Sequence, residues 1–459
     1  HKRCVAIQRH LAGQLKPGVI PSEIYSGVMD SLDPEFLRNF MGFGDSALNF
    51  DIYAFASELA DRLPIVNDVH VAVERALRSL RNGVRYMPNW DNYQGLNTRL
   101  AAPIEDFELP EHYTRKRTRS MGRVALLATR ASELALLDAG LLNDPILTSG
   151  LAGVAYGSSS GTPAALCQFG GLLLHNTADG IKANTYLHMM PHTTAVNVGL
   201  FFHMTGRIIP TSAACVSGSL AIGFACEAIR YGAQSLMLAG GAEELCATQA
   251  AVFDTLFACS TRNDAPATTP RPFDADRDGL VIGEGAASMV LEDLDHAIGR
   301  GARIYAEVVG FGTNSDGDHV TQPSAPTMAV AMKLALDDAR LPPDAIGYIS
   351  AHGTATDLGD VAESQASYEI FRRPVPISSM KSYIGHTLGA CGALEAWMGI
   401  EMMNNDWYAP TINLDHLDPR CADLDYIVGD GRTIEAEYVM SNNFAFGGIN
   451  TSLVFRRWH

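Results

Sequence analysis

One order of elements occurs twice in this chain, and the repetition limits the fold more than any other feature. LALLDAGL at 134–141 answers LALDDARL at 334–341, and GVAYGSSSGT at 153–162 answers GYISAHGTAT at 347–356. In each copy a helix runs through a turn into a short apolar strand. A third element recurs in kind. The Gly- and Ala-rich start GHTLGACGALEAW at 385–397 answers IIPTSAACVSGSLAIGFACEAIRY at 208–231. An internal duplication of about half the chain is expected. Alternating helix and strand signals make it α/β with largely parallel pairing. At 459 residues the chain can bury a large core.

The stretch at 208–231 is also where chemistry is expected. Ile208 and Ile209 read as a strand that turns sharply into a helix, with Cys215 at the turn. Ser217, Gly218, Ser219, Ala221, Gly223 and Ala225 follow, so the helix should be buried and closely packed. A cysteine at a helix N-terminus meets the positive end of the macrodipole, which favours the nucleophilic thiolate. Most free cysteines are inert core residues, and Cys167, Cys226 and Cys246 fit that description. Cys215 fits it poorly, because the small residues around the turn leave room for a substrate.

Composition excludes several classes. The net charge of −17, from 34 basic and 51 acidic residues, argues against nucleic acid as the general partner. No apolar run is long enough to cross a membrane. The opening HKRCVAIQRHLAGQL lacks the apolar core of a signal peptide. Eight cysteines without paired spacing do not make a disulfide framework, so a reducing, cytoplasmic setting is expected. Neither a Cys/His cluster at metal spacing nor a phosphate-binding loop is visible, so no metal and no cofactor are expected.

Three further stretches place unusual residues at strand ends or helix starts. AHGTATDLGD carries His352, Thr354, Thr356 and Asp360. SSMKSYIGHTLGACGALE carries Lys381, His386 and Glu395. MSNNFAFGGINTSLVF carries Asn443, Phe444, Phe446, Gly447, Gly448 and Asn450. Neutral imidazole can donate a hydrogen bond to a developing oxyanion. A single His in a Gly-rich loop is more often structural. Two such turns, in a duplicated fold that also presents Cys215, favour the catalytic reading.

With these residues the chain resembles the β-ketoacyl-[acyl-carrier-protein] synthases, condensing enzymes of the thiolase-like superfamily, and among them the type II elongation enzymes. The resemblance runs from about residue 63 to 457 and includes LPIVND (63–68), AGGAEE (239–244), STRND (260–264), RPFDADRDG (271–279) and GEGA (283–286). The HGTAT and KSYIGH stretches complete a Cys–His–His set. Related thiolases use a second Cys, and starter synthases use His and Asn.

The resemblance implies a duplicated, five-layered α-β-α-β-α architecture. Its halves would be 63–299, carrying the nucleophile, and 300–459, carrying the histidines, behind a divergent segment 1–62. It implies decarboxylative Claisen condensation of an acyl thioester with malonyl-carrier protein in fatty acid elongation. Cys215 would take the acyl chain. His352 and His386 would stabilise the malonyl enolate. Lys381, paired with Glu395, would support them, with Thr354, Thr356 and Phe444 close by. The backbone N–H groups of Cys215 and Phe446 would form the oxyanion hole. Phe446 would gate the acyl pocket, with Gly447 and Gly448 letting the loop swing. Asp278 and Glu284 read as scaffolding. A ketosynthase of a polyketide or specialised pathway shares this set. A chain-length-factor-like partner subunit shares the fold without the nucleophile.

The family normally opens with a strand and a Thr-Gly-x-Gly turn some ten residues before the position of LPIVND, and no such glycines appear there. Either RCVAI (3–7) is that strand, with a long insertion after it, or NFDIYAF (49–55) is a divergent version behind an extension. Two partners are implied. One is a second copy of the chain, through the strand before Cys215 and the apolar stretch 184–204. The other is an acidic acyl carrier protein, docking on Arg115, Lys116, Arg117, Arg119 and Arg123. A charge run is usually a solvated face, but this one stands out against the acidic balance of the chain.

Overall fold

Eleven strands hydrogen-bond into one continuous sheet. The protein is described by a computed structural model over residues 4–8, 74–105 and 107–459. In chain order the strands are β1 (Cys4–Gln8), β2 (Ala152–Gly157), β3 (Ile208–Pro210), β4 (Leu236–Glu243), β5 (Gly285–Asp293), β6 (Arg303–Ser315), β7 (Ile346–Ser350), β8 (Pro376–Ser378), β9 (Asp425–Tyr426), β10 (Tyr438–Phe444) and β11 (Ile449–Arg457). Across the sheet they lie β3-β2-β4-β5-β1-β6-β11-β10-β7-β8-β9. Outward from the β1–β6 pair, both halves read the same way: first strand, last strand, the one before it, then the second and third. The second half adds β9 at its edge. The repeat seen in the sequence is therefore a repeat of topology.

The pairing is mixed rather than largely parallel. β3–β2–β4 and β10–β7–β8–β9 are parallel, whereas the ladders from β4 through β5, β1, β6 and β11 to β10 are antiparallel. Parallel neighbours need a long crossover, and only residues 445–448 separate β10 from β11. β1 pairs with both β5 and β6, so Cys4–Gln8, which holds all of RCVAI but its first residue, is a central strand. NFDIYAF and LPIVND lie outside the described residues.

Six helices set the layers: α1 (Arg123–Asp138), α2 (Thr193–Phe201), α3 (Ser217–Arg230), α4 (Ala325–Ala339), α5 (Asp357–Phe371) and α6 (Cys391–Asn404). α1 and α2 cover the first half-sheet. α4 covers the second and carries α5 against it. α3 and α6 lie between the half-sheets, giving the five-layered α-β-α-β-α order. β2 and β4 are buried along their whole length, as suits strands covered on both faces.

The two central helices meet where each is smallest. A Cβ on Gly218 would lie 2.7 Å from Ala393 N, and one on Gly392 would lie 2.6 Å from Ser219 N. Any larger residue would push the helices apart. This close approach sets the starts of α3 and α6, and the turns that precede them, side by side. Among the described residues no helix is long and apolar enough to cross a membrane, and seven cysteines are free thiols.

Candidate active site

The two juxtaposed turns have matching shapes. Ala214–Val216 forms a tight helical turn before α3, and Leu388–Ala390 forms one before α6. Each opens on a residue in the left-handed region, Ala214 at φ 49° and Leu388 at φ 47°. Such strained positions for non-glycine residues persist where the surroundings over-determine them. The strained turn places Cys215 at the start of α3, buried to 3% exposure, facing the second half.

His386 lies two residues ahead of the second turn. Its backbone bridges to Ile282, beside GEGA, through His386 N to Val281 O at 2.7 Å and Gly283 N to His386 O at 2.9 Å. This pinning holds His386 Nε2 3.0 Å from Cys215 Sγ. The other ring nitrogen, Nδ1, accepts from Leu388 N–H at 3.3 Å. A neutral imidazole has one proton, so it sits on Nε2 and points at the sulfur.

His352 follows β7, with its ring edge-on to that of His386 at 5.2 Å. Its loop is held from α5. Glu363 accepts from the N–H groups of His352 and Gly353, both at 2.7 Å, and Asp360 accepts from Thr354 N and Ala355 N. The RPFDADRDG stretch braces the same loop: Phe273 N–H donates to Asp360, and Arg277 donates to Thr356 O. Thr354 and Thr356 share a hydroxyl contact at 2.9 Å, and Phe444 stands edge-on to His352 at 6.1 Å.

Behind His352, Lys381 Nζ lies 3.0 Å from Nδ1 and 2.5 Å from Glu395 Oε1. Burial alone would discharge this lysine, but Cys391 and Glu395 outweigh it and keep the ammonium. An ammonium only donates, so His352 Nδ1 accepts and its proton also sits on Nε2. Burial, then the Lys381 charge, hold both imidazoles well below the usual histidine range. The site therefore holds two neutral N–H donors and a thiol.

One expectation is corrected. The helix start was to favour thiolate, yet burial pushes the Cys215 thiol up to about 11. The backbone N–H groups of Phe446 and of Cys215 itself, with Lys381, pull the other way without prevailing. Desolvation of a wholly enclosed sulfur outweighs the end of a helix. The same contacts place both candidate oxyanion donors at the sulfur.

Phe446 is 37% exposed and meets Phe253 edge-on at 5.9 Å. Gly447 and Gly448 have φ of 97° and 74°. Asn450 donates to Asp316 at 2.7 Å. Asp278 accepts from Ser260 Oγ and Thr261 N, and Glu284 from Ile104 N and Leu245 N, which is scaffolding.

The basic segment stands apart from this cluster. Arg115, Lys116 and Arg119 are exposed. Arg117 stacks on Phe201 at 3.7 Å and donates to its carbonyl. Arg123 differs from them in being paired with the buried Glu284 at 2.5 and 2.8 Å, although its side chain stays 41% exposed. No role was assigned from sequence to Asn443, whose Nδ2 lies 2.7 Å from Glu395 Oε2, or to Cys391, whose thiol faces Cys215 O at 3.2 Å. Two adjacent asparagines inside a buried strand were the available signal for the first.

Comparison with known proteins follows the same outline. The family described as "Beta-ketoacyl synthase, N-terminal domain" matches residues 59–297, and "Beta-ketoacyl synthase, C-terminal domain" matches 305–415. The 3-oxoacyl-[acyl-carrier-protein] synthase 2 of Vibrio harveyi is 36% identical over 405 residues, covering 86% of this chain and 96% of the relative. Synthase 1 of Escherichia coli is 38% identical over 348 residues, covering 75% of this chain and 84% of the relative. A β-ketoacyl synthase structure from Burkholderia phymatum superposes with TM-score 0.83 at 63% identity, covering 84% of this chain and 95% of that one. A type II polyketide ketosynthase, solved in complex with its acyl-carrier protein and bound to a hexaketide, superposes with TM-score 0.72 at 30% identity, covering 82% and 93%.

Proposed function

Since the chain belongs to the beta-ketoacyl synthase family, we infer that it lengthens an acyl thioester by condensing it with malonyl-carrier protein, with loss of carbon dioxide, in fatty acid elongation. The observation that carries the chemistry is the convergence of two neutral imidazole N–H donors on one buried thiol.

The roles follow from the donors. Cys215 attacks the acyl-carrier thioester, and the N–H groups of Cys215 and Phe446 receive the oxyanion. Collapse expels the carrier thiol, which takes up the proton that Cys215 loses, so the exchange balances without an outside acid. Malonyl-carrier then places its thioester oxygen against His352 and His386. Breaking the carbon–carboxylate bond leaves an enolate, whose charge the two N–H groups meet. The enolate carbon attacks acyl-Cys215 and forms the new carbon–carbon bond. The second tetrahedral intermediate releases the β-ketoacyl carrier and returns the Cys215 thiolate, which takes from solvent the one proton that the condensation consumes. Phe446 swings between the two half-reactions on Gly447 and Gly448.

The carrier partner is read from the exposed face of Arg115, Lys116 and Arg119, opposite in sign to an acidic carrier. A homodimer is supported by β3, an edge strand with β2 as its neighbour and with Ile208 exposed. The helix Leu166–His175 buries none of its residues, and Leu173 and Leu174 are 79% and 76% exposed. A second copy is the natural cover for such a patch. The apolar surface lies on this helix more than on 193–201, most of which is buried. A reducing, cytoplasmic setting suits a reaction that needs a free thiol.

Incubation with an acyl-carrier thioester should add one acyl mass, located on Cys215, and subsequent malonyl-carrier should remove it as β-ketoacyl product. An unmodified chain, or an adduct on another residue, overturns the reading. Sedimentation as a stable monomer at micromolar concentration overturns the dimer.

A further inference from the structure

The roles above leave one buried polar side chain of the site without a task. Asn443 lies on β10 with no exposed surface. Its Nδ2 is 2.7 Å from Glu395 Oε2 and 3.4 Å from His352 Nδ1. An ionised carboxylate only accepts, so this contact fixes which amide atom is nitrogen. Among the described residues Oδ1 has no hydrogen-bond partner, and it packs where a Cβ on Gly392 would come within 2.8 Å. A buried amide that leaves its own oxygen unpaired makes its contribution through its donor group.

We propose that Asn443 is a positioning residue, which holds the Glu395 carboxylate on Lys381 and keeps His352 in the form that offers Nε2–H to the enolate. The proposal rests on reading His352 as an enolate donor. Glu395 has two oxygens to satisfy in a dry site. Lys381 takes Oε1 and Asn443 takes Oε2, so the carboxylate plane cannot turn. Lys381 is thereby aimed at His352 Nδ1, and Asn443 approaches the same nitrogen. Two donors facing Nδ1 leave no place for a proton there. Without the amide, Oε2 is stranded, the carboxylate is free to rotate, and Lys381 can follow it away from the imidazole.

The test separates the two half-reactions in the full chain. Asn443→Leu preserves bulk and removes the donor. Release of carbon dioxide from malonyl-carrier should fall about 10- to 100-fold, the usual worth of a hydrogen bond to a charged group. Acylation of Cys215, followed by intact mass, should stay within about two-fold of wild type.

Asn443→Asp gives a second, isosteric reading should the first variant fold poorly. The introduced carboxyl faces Glu395 and Cys391 of α6 and His352 after β7, and Lys381 contacts both Glu395 and His352. Ionised, it repels Glu395; protonated, it can donate in the amide's place. Decarboxylation by this variant should therefore recover as pH falls from about 8 to about 6, where wild type shows no such gain. Equal losses in both half-reactions, or wild-type decarboxylation in both variants, would overturn the positioning role. A wild-type chain that does not decarboxylate malonyl-carrier would overturn the reading of His352 instead.

Discussion

Removing one partner of the Lys381–Glu395 pair should cost more than removing both. The side chains are 1% and 0% exposed, so neither charge can recruit water if abandoned. Breaking a buried pair from one side typically costs about 3–5 kcal/mol. Lys381→Met should fall at the lower end, because Asn443 at 2.7 Å still satisfies one oxygen of the orphaned carboxylate. Glu395→Leu should fall at the upper end, because it leaves the ammonium facing His352 Nδ1 at 3.0 Å and an apolar wall.

Against burial, Cys391 and Glu395 keep the folded pKa of Lys381 above 10.5, so the contribution of the lysine's own proton is complete below 10.5 and is lost as pH rises through the folded value. Measurements near neutrality therefore see all of it. Lys381→Met/Glu395→Leu puts apolar volume where the charges were, and such swaps are often neutral or stabilising. Denaturant midpoints should rank the double variant close to wild type and well above either single. Decarboxylation should not recover with stability, since the ammonium that donates to His352 Nδ1 is gone and only the longer Asn443 contact remains; the loss should be about 10- to 100-fold. A double variant as unstable as the singles combined, or one that decarboxylates at the wild-type rate, would refute the reasoning.

Cys215→Ala should abolish condensation while still releasing carbon dioxide from malonyl-carrier, and His352→Ala or His386→Ala should chiefly lose that release; a β-ketoacyl product from the Cys215 variant would sink the assignment. Reversing Arg115, Lys116 and Arg119 to Glu should raise KM for carrier-borne substrates and flatten its dependence on salt, with a small carrier-free thioester little affected; equal losses on both would mean that the segment serves the fold. Both imidazoles are held below 6.5 by burial, so beneath that pH each binds fewer protons in the folded chain than in the unfolded one, and its own contribution to stability falls with pH. His386→Asn should therefore lose less melting temperature than wild type between about pH 7 and about pH 5.5, and an identical loss would contradict the burial argument.

The duplicated frame was legible because helix and strand periodicities are local; His352 and His386 were marked by neighbouring glycines and Cys215 by the small residues at its turn, whereas Lys381 took its role from the family resemblance. What escaped depends on distance through space. The protonation of Cys215 is decided by how completely α3, α6 and the 445–448 turn enclose it, which the residues beside it do not encode. Arg123 looked like one more member of a basic run, but its partner Glu284 lies 161 positions away. Asn443 meets Glu395 and His352 at separations of 48 and 91 residues, so no spacing rule could pair them. The antiparallel centre of the sheet was missed because strand patterning reports which face is buried, not which way the neighbour runs.

The paired turns carry a last consequence, for stoichiometry. Counting from Ala214 and Leu388, the position matching Cys215 is Gly389. Its N–H does not face an empty hollow; it donates to the buried carboxylate of Glu243 at 3.0 Å, which Ser158 and Ser159 also hold. Where one half keeps a sulfur for a visiting carbonyl, the other has an alanine-sized gap already filled by the chain's own acid. A frame with near two-fold symmetry thus offers a single berth. The chain can hold one acyl group at a time, so an acyl load approaching two per chain is closed off by architecture rather than by affinity.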